Sequence, residues 1–319
     1  MATTEGQEWP ETRALPRTFF RAPLCPDLRE LKADIAFLGV PFDQSTYGRP
    51  GARFGPDGIR DVDRVYDYTD PWEDKEAQGY FDIDRGPAVF LRGVTMADCG
   101  NVTVLPADIE KNFGKVSAAV KRILERGAFP VVVGGDHAIT YPVVRAFQGN
   151  APLDIVHFDA HMDFTHDIQG VLYAHGSPIR RVSELPFVRN ITSIGVRKAR
   201  GDVYQEALAR GVRVITAEQL RSPGPERAIA QVPPSRRIYV TLDIDVLDPA
   251  YAPGTGTPAA GGLSYFELRN ALLEVTRRGQ VVGFDLVEVA PPYDPSQITT
   301  RVAAQLIIDL LSVLFPSRV

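Results

Sequence analysis

The chain has 319 residues, of which 44% are hydrophobic and 24% charged, with a formal net charge of −5 at pH 7. Such a composition is ordinary for a globular protein with a substantial core, and the acidic balance gives no reason to expect binding to nucleic acid or to an anionic membrane surface. Two cysteines cannot form a disulfide framework, and residues 1–20 contain acids and prolines where a signal peptide has an apolar segment, so we expect a cytoplasmic protein without a membrane span.

Residues 1–32 are polar and rich in proline and are expected to form an extended arm, with residues 33–319 as a single domain. Short runs rich in β-branched residues recur along this domain. Several are apolar on successive positions, which is typical of parallel strands covered on both faces. In chain order the predicted strands are Asp34–Val40, Val94–Cys99, Pro130–Val133, Asp154–Phe158, Ile191–Val196, Val212–Thr216, Arg237–Asp245 and Val281–Val289.

Helical patterns lie between the strands. Apolar residues recur at helical spacing in Phe113–Arg126, Ser264–Arg278 and Thr299–Phe315. The second of these begins with a capping box, formed by its serine and the glutamate three residues later. Alternating strands and helices predict an α/β fold with a central parallel sheet. The segment Tyr66–Pro87 has no clear period and is expected to be a long loop of the kind that often shapes a site.

All five histidines lie between His137 and His175, in or beside the strings GGDH (134–137) and DAHMD (159–163). A third acidic string, TLDID (241–245), follows later in the chain. Each string comes at the carboxyl end of a predicted strand, which is where open α/β sheets place their ligand sites. Residues two apart share a face of an extended chain. We therefore expect the three strings to meet at one point.

Two histidines and four aspartates of these strings are candidate metal ligands: His137, Asp159, His161, Asp163, Asp243 and Asp245. Four carboxylates nearly neutralise two divalent ions and can bridge them. An oxygen-rich site with some imidazole suits manganese better than a thiolate-preferring metal. Two closely spaced ions lower the pKa of a bridging water and supply hydroxide at neutral pH. The strings therefore predict a di-metal hydrolase.

Four neighbouring polar residues have plainer interpretations. Asp136 is expected to cap the turn that follows it, and Asp248, before a proline, to be a turn residue. His157 lies within a predicted strand and is expected to be a hydrogen-bonded core residue. His166 is favoured as a surface-loop residue, with its role left open.

The strings GGDH, DAHMD and TLDIDVLDPAYAPGTGTP (241–258) resemble the three signatures of the ureohydrolase family, which includes arginases, agmatinases and guanidino-acid hydrolases. RPGARFGPDGIR (49–60) and GFDLVEVAPPYD (283–294) are similar to segments of the agmatinase branch. The resemblance implies a three-layer arginase-like fold with a central parallel eight-stranded sheet, assembled as a homotrimer or homohexamer. It also implies two Mn²⁺ ions and release of urea from a guanidino group.

The resemblance divides the candidate residues by role. It implies that two aspartates, Asp159 and Asp243, bridge both ions. One ion is then also bound by His137 and Asp163, and the other by His161 and Asp245. His175 matches the proton-shuttling histidine of the family. Glu288 matches the carboxylate that pairs with the substrate guanidinium, which stays protonated and needs a buried anion.

The substrate is set by departures from the family pattern. Lys198-Ala199-Arg200 follows Gly195-Val196-Arg197 where arginases have an acidic pair that holds the α-amino group, so arginine is disfavoured. Agmatine is narrowly favoured, because an acidic patch in the long loop could rim the pocket and attract its amine: Asp70, Glu73, Asp74 and Glu76. The alternative interpretation of this patch is a solvated loop with no part in the site. The alternatives are a guanidino acid such as 4-guanidinobutyrate, whose acid tail Arg180 and Arg181 could attract unless both are structural, and guanidine with nickel in place of manganese.

An alternative from another class is a non-catalytic subunit that keeps the fold for assembly. Such subunits normally lose metal ligands, whereas this chain retains all six candidates. An enzyme is therefore the favoured interpretation.

Overall fold

A computed structural model of the protein describes residues 17–62, 80–85, 89–149 and 152–316. Eight strands of this part form one sheet in which every paired neighbour runs parallel. They are β1 (Ile35–Val40), β4 (Met96–Asn101), β5 (Phe129–Gly134), β6 (Leu153–Phe158), β7 (Val188–Val196), β8 (Arg213–Thr216), β9 (Ser235–Asp243) and β10 (Gly279–Val287), in the spatial order β4-β1-β5-β10-β9-β6-β7-β8. A separate antiparallel pair joins β2 (Tyr80–Phe81) to β3 (Val89–Phe90).

The predicted eight-stranded parallel sheet is confirmed, since each predicted strand overlaps one of the eight. The continuous apolar runs predicted these strands because the strands are buried on both faces; β1 and β6, for example, are buried at every position. One boundary differs. The predicted strand Arg237–Asp245 ends in the structure at Asp243, and a 3₁₀ turn takes over at Ile244–Val246.

Helices cover both faces of the sheet and make the fold three-layered. The helices are α1 (Gly55–Val62), α2 (Ile109–Glu125), α3 (Thr140–Arg145), α4 (Pro178–Val182), α5 (Gly201–Ala209), α6 (Ala217–Arg221), α7 (Pro225–Ile229), α8 (Tyr265–Val275) and α9 (Ile298–Leu314). One apolar core lies between the sheet and α1 with α6–α9, and the second lies between the opposite face and α2–α5. Within the described ranges, no helix is both long and apolar enough to span a membrane.

The three predicted helices correspond to α2, α8 and α9. The predicted capping box is present at the start of α8, where Ser264 accepts a hydrogen bond from the Glu267 backbone and Glu267 returns one to the Ser264 backbone. Helix α2 begins four residues earlier than predicted, because Asp108 caps it through the Lys111 backbone N–H. The other six helices have five to nine residues, which is too few to show a clear period in the sequence.

The segment before β1 packs on the sheet as far as it is described. Phe19 and Phe20 each place their ring 5.4 Å from the ring of Phe37 in β1. Leu24 forms a parallel bridge with Asp98 of β4. Residues 1–16 lie outside the described part of the chain, so the division into an arm (1–32) and a domain (33–319) stays a prediction. Most of the predicted loop Tyr66–Pro87 also lies outside it.

Four central strands bring the acidic strings to one edge of the sheet. β5, β10, β9 and β6 are successive neighbours, and their carboxyl ends are in register to within one residue: Leu286 pairs with both Val133 and Leu242, and Leu242 also pairs with Phe158. The segments that follow these residues therefore leave the sheet at the same level. Gly135 lets the segment after β5 lie close to the segment after β1, since a Cβ at this position would lie 2.1 Å from the carbonyl oxygen of Phe42.

Candidate metal centre

His137 enters the centre through a 3₁₀ turn that follows β5. Asp136 caps this turn, accepting a hydrogen bond from the Ala138 backbone N–H at 3.1 Å, which confirms its predicted role. The other oxygen of Asp136 accepts from the Ser45 backbone N–H and hydroxyl at 3.1 and 2.7 Å. Asp136 therefore ties the turn to the segment after β1 and leaves His137 to face the acidic strings.

The Nδ1 atom of His137 lies among three carboxylates. It is 3.2 Å from Asp159 Oδ2, 3.0 Å from Asp163 Oδ2 and 3.3 Å from Asp243 Oδ2. Nevertheless this buried nitrogen makes no well-aligned hydrogen bond to any described residue. Its other ring nitrogen, Nε2, is held 3.0 Å from the Thr241 hydroxyl. A lone pair aimed with three carboxylates into one small space is what a divalent cation requires.

A second cluster shares Asp159 with the first. His161 Nδ1 lies 3.4 Å from Asp159 Oδ1 and 3.1 Å from Asp245 Oδ2. Asp245 is fixed by hydrogen bonds from the Ala160 backbone N–H and the Thr257 hydroxyl, both at 3.1 Å. One oxygen of Asp159 thus faces each histidine. The structure brings all six predicted ligands together, in an arrangement that fits two ions bridged by a carboxylate.

Turns, and not an extended chain, aim these side chains. The sequence argument assumes that residues two apart share a face, but β6 ends at Phe158 and β9 at Asp243. Beyond them, Asp163 has a left-handed backbone with φ of 46°, and Asp243 caps a turn through the Asp245 N–H at 2.8 Å. The strings converge at the carboxyl ends of the strands as expected, but the assumption that residues two apart share a face of an extended chain there is wrong.

The crowding of carboxylates and histidines shifts the pKa values of these groups strongly. Burial and the nearby charges of Asp245 and Asp159 raise the pKa of Asp243 well above its usual value. Burial opposes protonation of His161, but Asp159 and Asp245 outweigh it and raise its pKa to about 12. Protons held by Asp243 and His161 therefore offset part of the negative charge when no ion is bound. Divalent ions would displace these protons, so that metal binding is expected to release protons and to weaken as the pH falls.

Residues that sequence reasoning did not select support the ligands from within the sheet. Asp285 accepts hydrogen bonds at 2.6 Å from both Thr241 and Tyr239, and Thr241 in turn contacts His137. This chain of contacts fixes the orientation of the His137 ring. The sequence does indicate part of this support, because Tyr239 and Thr241 precede Asp243 at a spacing of two and therefore lie on the same face of the strand.

His157 is buried and hydrogen-bonded within β6, as the sequence predicts. Its Nδ1 lies 3.0 Å from the Ser193 hydroxyl and its Nε2 lies 2.8 Å from Asp159 Oδ2. It therefore falls within the first ligand cluster, a position that the sequence argument did not anticipate. Because its Nε2 is engaged by Asp159, it acts best as a support for that shared carboxylate.

His175 and Glu288 form a buried pair beside the ligands. His175 Nδ1 lies 3.0 Å from Glu288 Oε1, which also accepts a hydrogen bond from the His137 backbone N–H at 2.9 Å. The ring of Tyr47 meets the His175 ring edge-on, with centroids 4.4 Å apart. Glu288 has a left-handed backbone, with φ of 63°, a strained conformation of the kind found at functional sites. Burial opposes protonation of His175, yet its bond to Glu288 raises its pKa to about 9.

This pair gives a prediction that needs no substrate. In metal-free protein, Glu288→Gln should lower the pKa of His175 from about 9 towards its ordinary value of 6.5, because the carboxylate that favours the imidazolium is removed. Histidine ring signals followed by NMR over a pH series measure it. Asp167→Asn is the matched control, since Asp167 bonds to the exposed His166 ring and the Gly170 backbone N–H, neither of which belongs to the His175–Glu288 pair. A pKa that stays near 9 in Glu288→Gln would contradict the assignment.

A cavity of about 260 Å³ opens above the ligand clusters. Its floor includes the carboxylates of Asp163, Asp243 and Glu288. Its outer wall carries Lys198 and Arg200, with Tyr47 and Thr165 also lining it: the cavity is thus acidic at the bottom and basic at the mouth.

Other candidate residues lie away from this cavity. Arg180 and Arg181 are buried and form ion pairs with Glu184. They therefore have a structural role and do not attract the acid tail of a substrate. Asp248 accepts hydrogen bonds from the backbones of Ala250, Gly261 and Gly262, which confirms a turn residue. His166 is exposed on a loop, with Nδ1 2.8 Å from Asp167. The acidic patch of residues 70–76 lies outside the described part of the chain.

Comparison with known proteins gives concordant matches over nearly the whole chain. The model of the Arginase family matches residues 33–312. An agmatinase of Bacillus subtilis is 36% identical over 88% of this chain and 91% of its own, and a mitochondrial guanidino acid hydrolase of Homo sapiens is 37% identical over 88% of this chain and 78% of its own. Among solved structures, proclavaminate amidino hydrolase from Streptomyces clavuligerus superposes with a TM-score of 0.80 at 32% identity, covering 94% of this chain and 98% of that one.

Proposed function

Because this chain belongs to the arginase family, as a ureohydrolase of its agmatinase-like branch, we propose that it hydrolyses a small guanidino compound to urea and an amine. The observation that carries the proposal is the sharing of Asp159 between two histidine–carboxylate clusters at the bottom of a cavity. Relatives named as hydrolases, together with the six candidate ligands, exclude the alternative of a non-catalytic assembly subunit.

We assign the six ligands to two Mn²⁺ ions. Asp159 and Asp243 would bridge them, with His137 and Asp163 on one ion and His161 and Asp245 on the other. The preponderance of carboxylate oxygen supports manganese over nickel, which remains the alternative. When bound, the two ions supply Lewis acidity that makes water a nucleophile at neutral pH.

The chain's own residues bind the substrate and handle its protons. Glu288 is buried, faces the cavity and offers the anion that a guanidinium needs. His175 is held by Glu288 through Nδ1, while its Nε2 has no hydrogen-bond partner among the described residues. That nitrogen is free to carry a proton to the departing amine, which must take one up as the C–N bond breaks.

Two substrates have specific support. Agmatine is the one favoured by the acidic patch of residues 70–76, and it stays a prediction because that patch lies outside the described residues. A guanidino acid such as 4-guanidinobutyrate is the second candidate, and the basic mouth of the described cavity favours it. We further propose a homotrimer or homohexamer, on the strength of the family resemblance alone, and a cytoplasmic location, on the strength of the sequence composition.

The proposal is tested by metal content and urea release. Mass spectrometry of purified protein should find about two divalent ions per chain, as a two-metal site requires. A panel of agmatine, 4-guanidinobutyrate, arginine and guanidine should give urea from at least one member, and reconstitution with manganese or nickel should identify the active metal. Metal-loaded protein that releases no urea from any of the four would overturn the proposal.

A further inference from the structure

The outer wall of the cavity includes residues 198–200, which follow β7 after Arg197. Arg197 anchors this segment, because its guanidinium donates to the backbone carbonyls of Asp245 and Ala259, both at 2.7 Å. Its own backbone N–H bonds to the carbonyl of Ala160, within the DAHMD string, at 3.0 Å. The next residue, Lys198, is therefore fixed in position relative to the metal ligands even though its side chain is exposed.

The two cations of this wall differ in their surroundings. Arg200 is neutralised by Asp202, with Nε 3.1 Å from one carboxylate oxygen and Nη2 2.5 Å from the other. For Lys198, no carboxylate within the described ranges lies at ion-pair distance, although it lines the same cavity. The carboxylates on the cavity floor are the metal ligands and the guanidinium holder. Lys198 thus brings to the mouth a positive charge that no described carboxylate pairs with.

A substrate tail that reaches this mouth meets donors and a positive charge. The Lys198 ammonium carries three donors and no acceptor, and the hydroxyls of Thr165 and Tyr47 line the same cavity. A carboxylate is the complement of such a wall, since charge-assisted hydrogen bonds to an anion are the strong ones. The ammonium of agmatine would instead face a like charge and find no carboxylate in the described wall.

We infer that Lys198 determines specificity by binding the carboxylate of an ω-guanidino acid at the mouth of the cavity. This inference rests on the proposed urea-releasing function and names its substrate class. Lys198 acts on the substrate tail, remote from the reacting carbon, so its contribution is to binding, which raises kcat/KM mainly by lowering KM.

The test compares kcat/KM for 4-guanidinobutyrate and agmatine. Wild-type protein should prefer the acid. Lys198→Gln should lower kcat/KM for the acid roughly tenfold or more, the size of a lost charge-assisted hydrogen bond, with the change in KM and little in kcat. Lys198→Glu should weaken the acid further and improve agmatine. Metal content should stay at the wild-type value in both variants, because Lys198 is not among the ligands.

Two control variants separate direct contact from a general charge effect. Arg200→Gln removes a cation of the same wall that Asp202 already neutralises, and should have a smaller effect. Lys121→Gln removes an exposed lysine on α2, distant in the chain from the cavity lining, and should leave both substrates unchanged. Urea release with an unchanged substrate preference in Lys198→Glu, or a wild-type preference for agmatine, would overturn the role of Lys198 alone. If metal-loaded wild-type protein releases no urea from any substrate, the proposed function itself is overturned.

Discussion

Asp243→Ala is expected to abolish urea release and to leave well below two metal ions per chain. In the structure, the Asp243 carboxylate is buried, lies 3.3 Å from the Nδ1 of His137 and is proposed to bridge both ions. Changing a residue that only supports a metal ligand typically costs 10- to 100-fold in affinity or activity. Loss of a bridging ligand should therefore lower kcat by about 100-fold or more.

Metal content by mass spectrometry and urea release at saturating substrate measure this effect together. Asp248→Ala is the matched control, because Asp248 lies in the same string but bonds to the backbone amides of Ala250, Gly261 and Gly262 and to no candidate ligand. It should retain both ions. An Asp243→Ala protein with full metal content and activity would remove the central claim of a bridged di-metal centre.

Thermal unfolding gives an independent measurement on the same site. A ligand that binds only the folded state stabilises it by about 2.7 kcal/mol at one hundred times its Kd. Manganese should therefore raise the Tm of wild-type protein markedly and that of Asp243→Asn much less. With EDTA present, the two proteins should unfold at similar temperatures, because burial beside Asp159 and Asp245 makes the ionised carboxylate of Asp243 unfavourable without a cation.

The sheet and the ligand set could be predicted from sequence because each leaves a local mark. A strand buried on both faces is a continuous apolar run, as in β5, where Val131, Val132 and Val133 are all fully buried. The ends of such runs face a common edge of a parallel sheet, so Asp159 and Asp243 could be expected to meet although they lie 84 positions apart in the chain.

The remaining features depend on tertiary contacts that carry no local mark. The spacing of Tyr239 and Thr241 places them on the face of Asp243, but nothing local in the sequence marks Asp285 as the residue that accepts their hydrogen bonds. The charges of Arg180 and Lys198 look alike in sequence, yet the first is buried against Glu184 and Glu206 and the second is exposed at the cavity. Packing decides which cation pairs with carboxylates inside the protein and which one can contact a substrate. This difference is visible in the structure and not in the sequence.

His175→Asn is expected to lower kcat by about 10²- to 10⁴-fold, the usual contribution of a positioned general acid or base, while metal content stays at the wild-type value. The geometry gives the reason. His175 belongs to neither ligand cluster, and its Nδ1 is held by Glu288 at 3.0 Å. Asparagine can keep a hydrogen bond to Glu288, but it cannot carry a proton at neutral pH.

Three measurements make this expectation specific to proton transfer. Metal content should be unchanged, KM should move little, and added imidazole should restore part of the activity by entering the space that the ring leaves. His166→Asn is the matched control, because that ring is exposed on its loop and pairs only with Asp167 in the described structure. Parallel loss of metal in His175→Asn would place His175 among the ligands, whereas retained kcat would show that another group delivers the proton. In metal-free protein the bond to Glu288 raises the pKa of His175 to about 9, the direction that suits a group that must donate a proton to a departing amine.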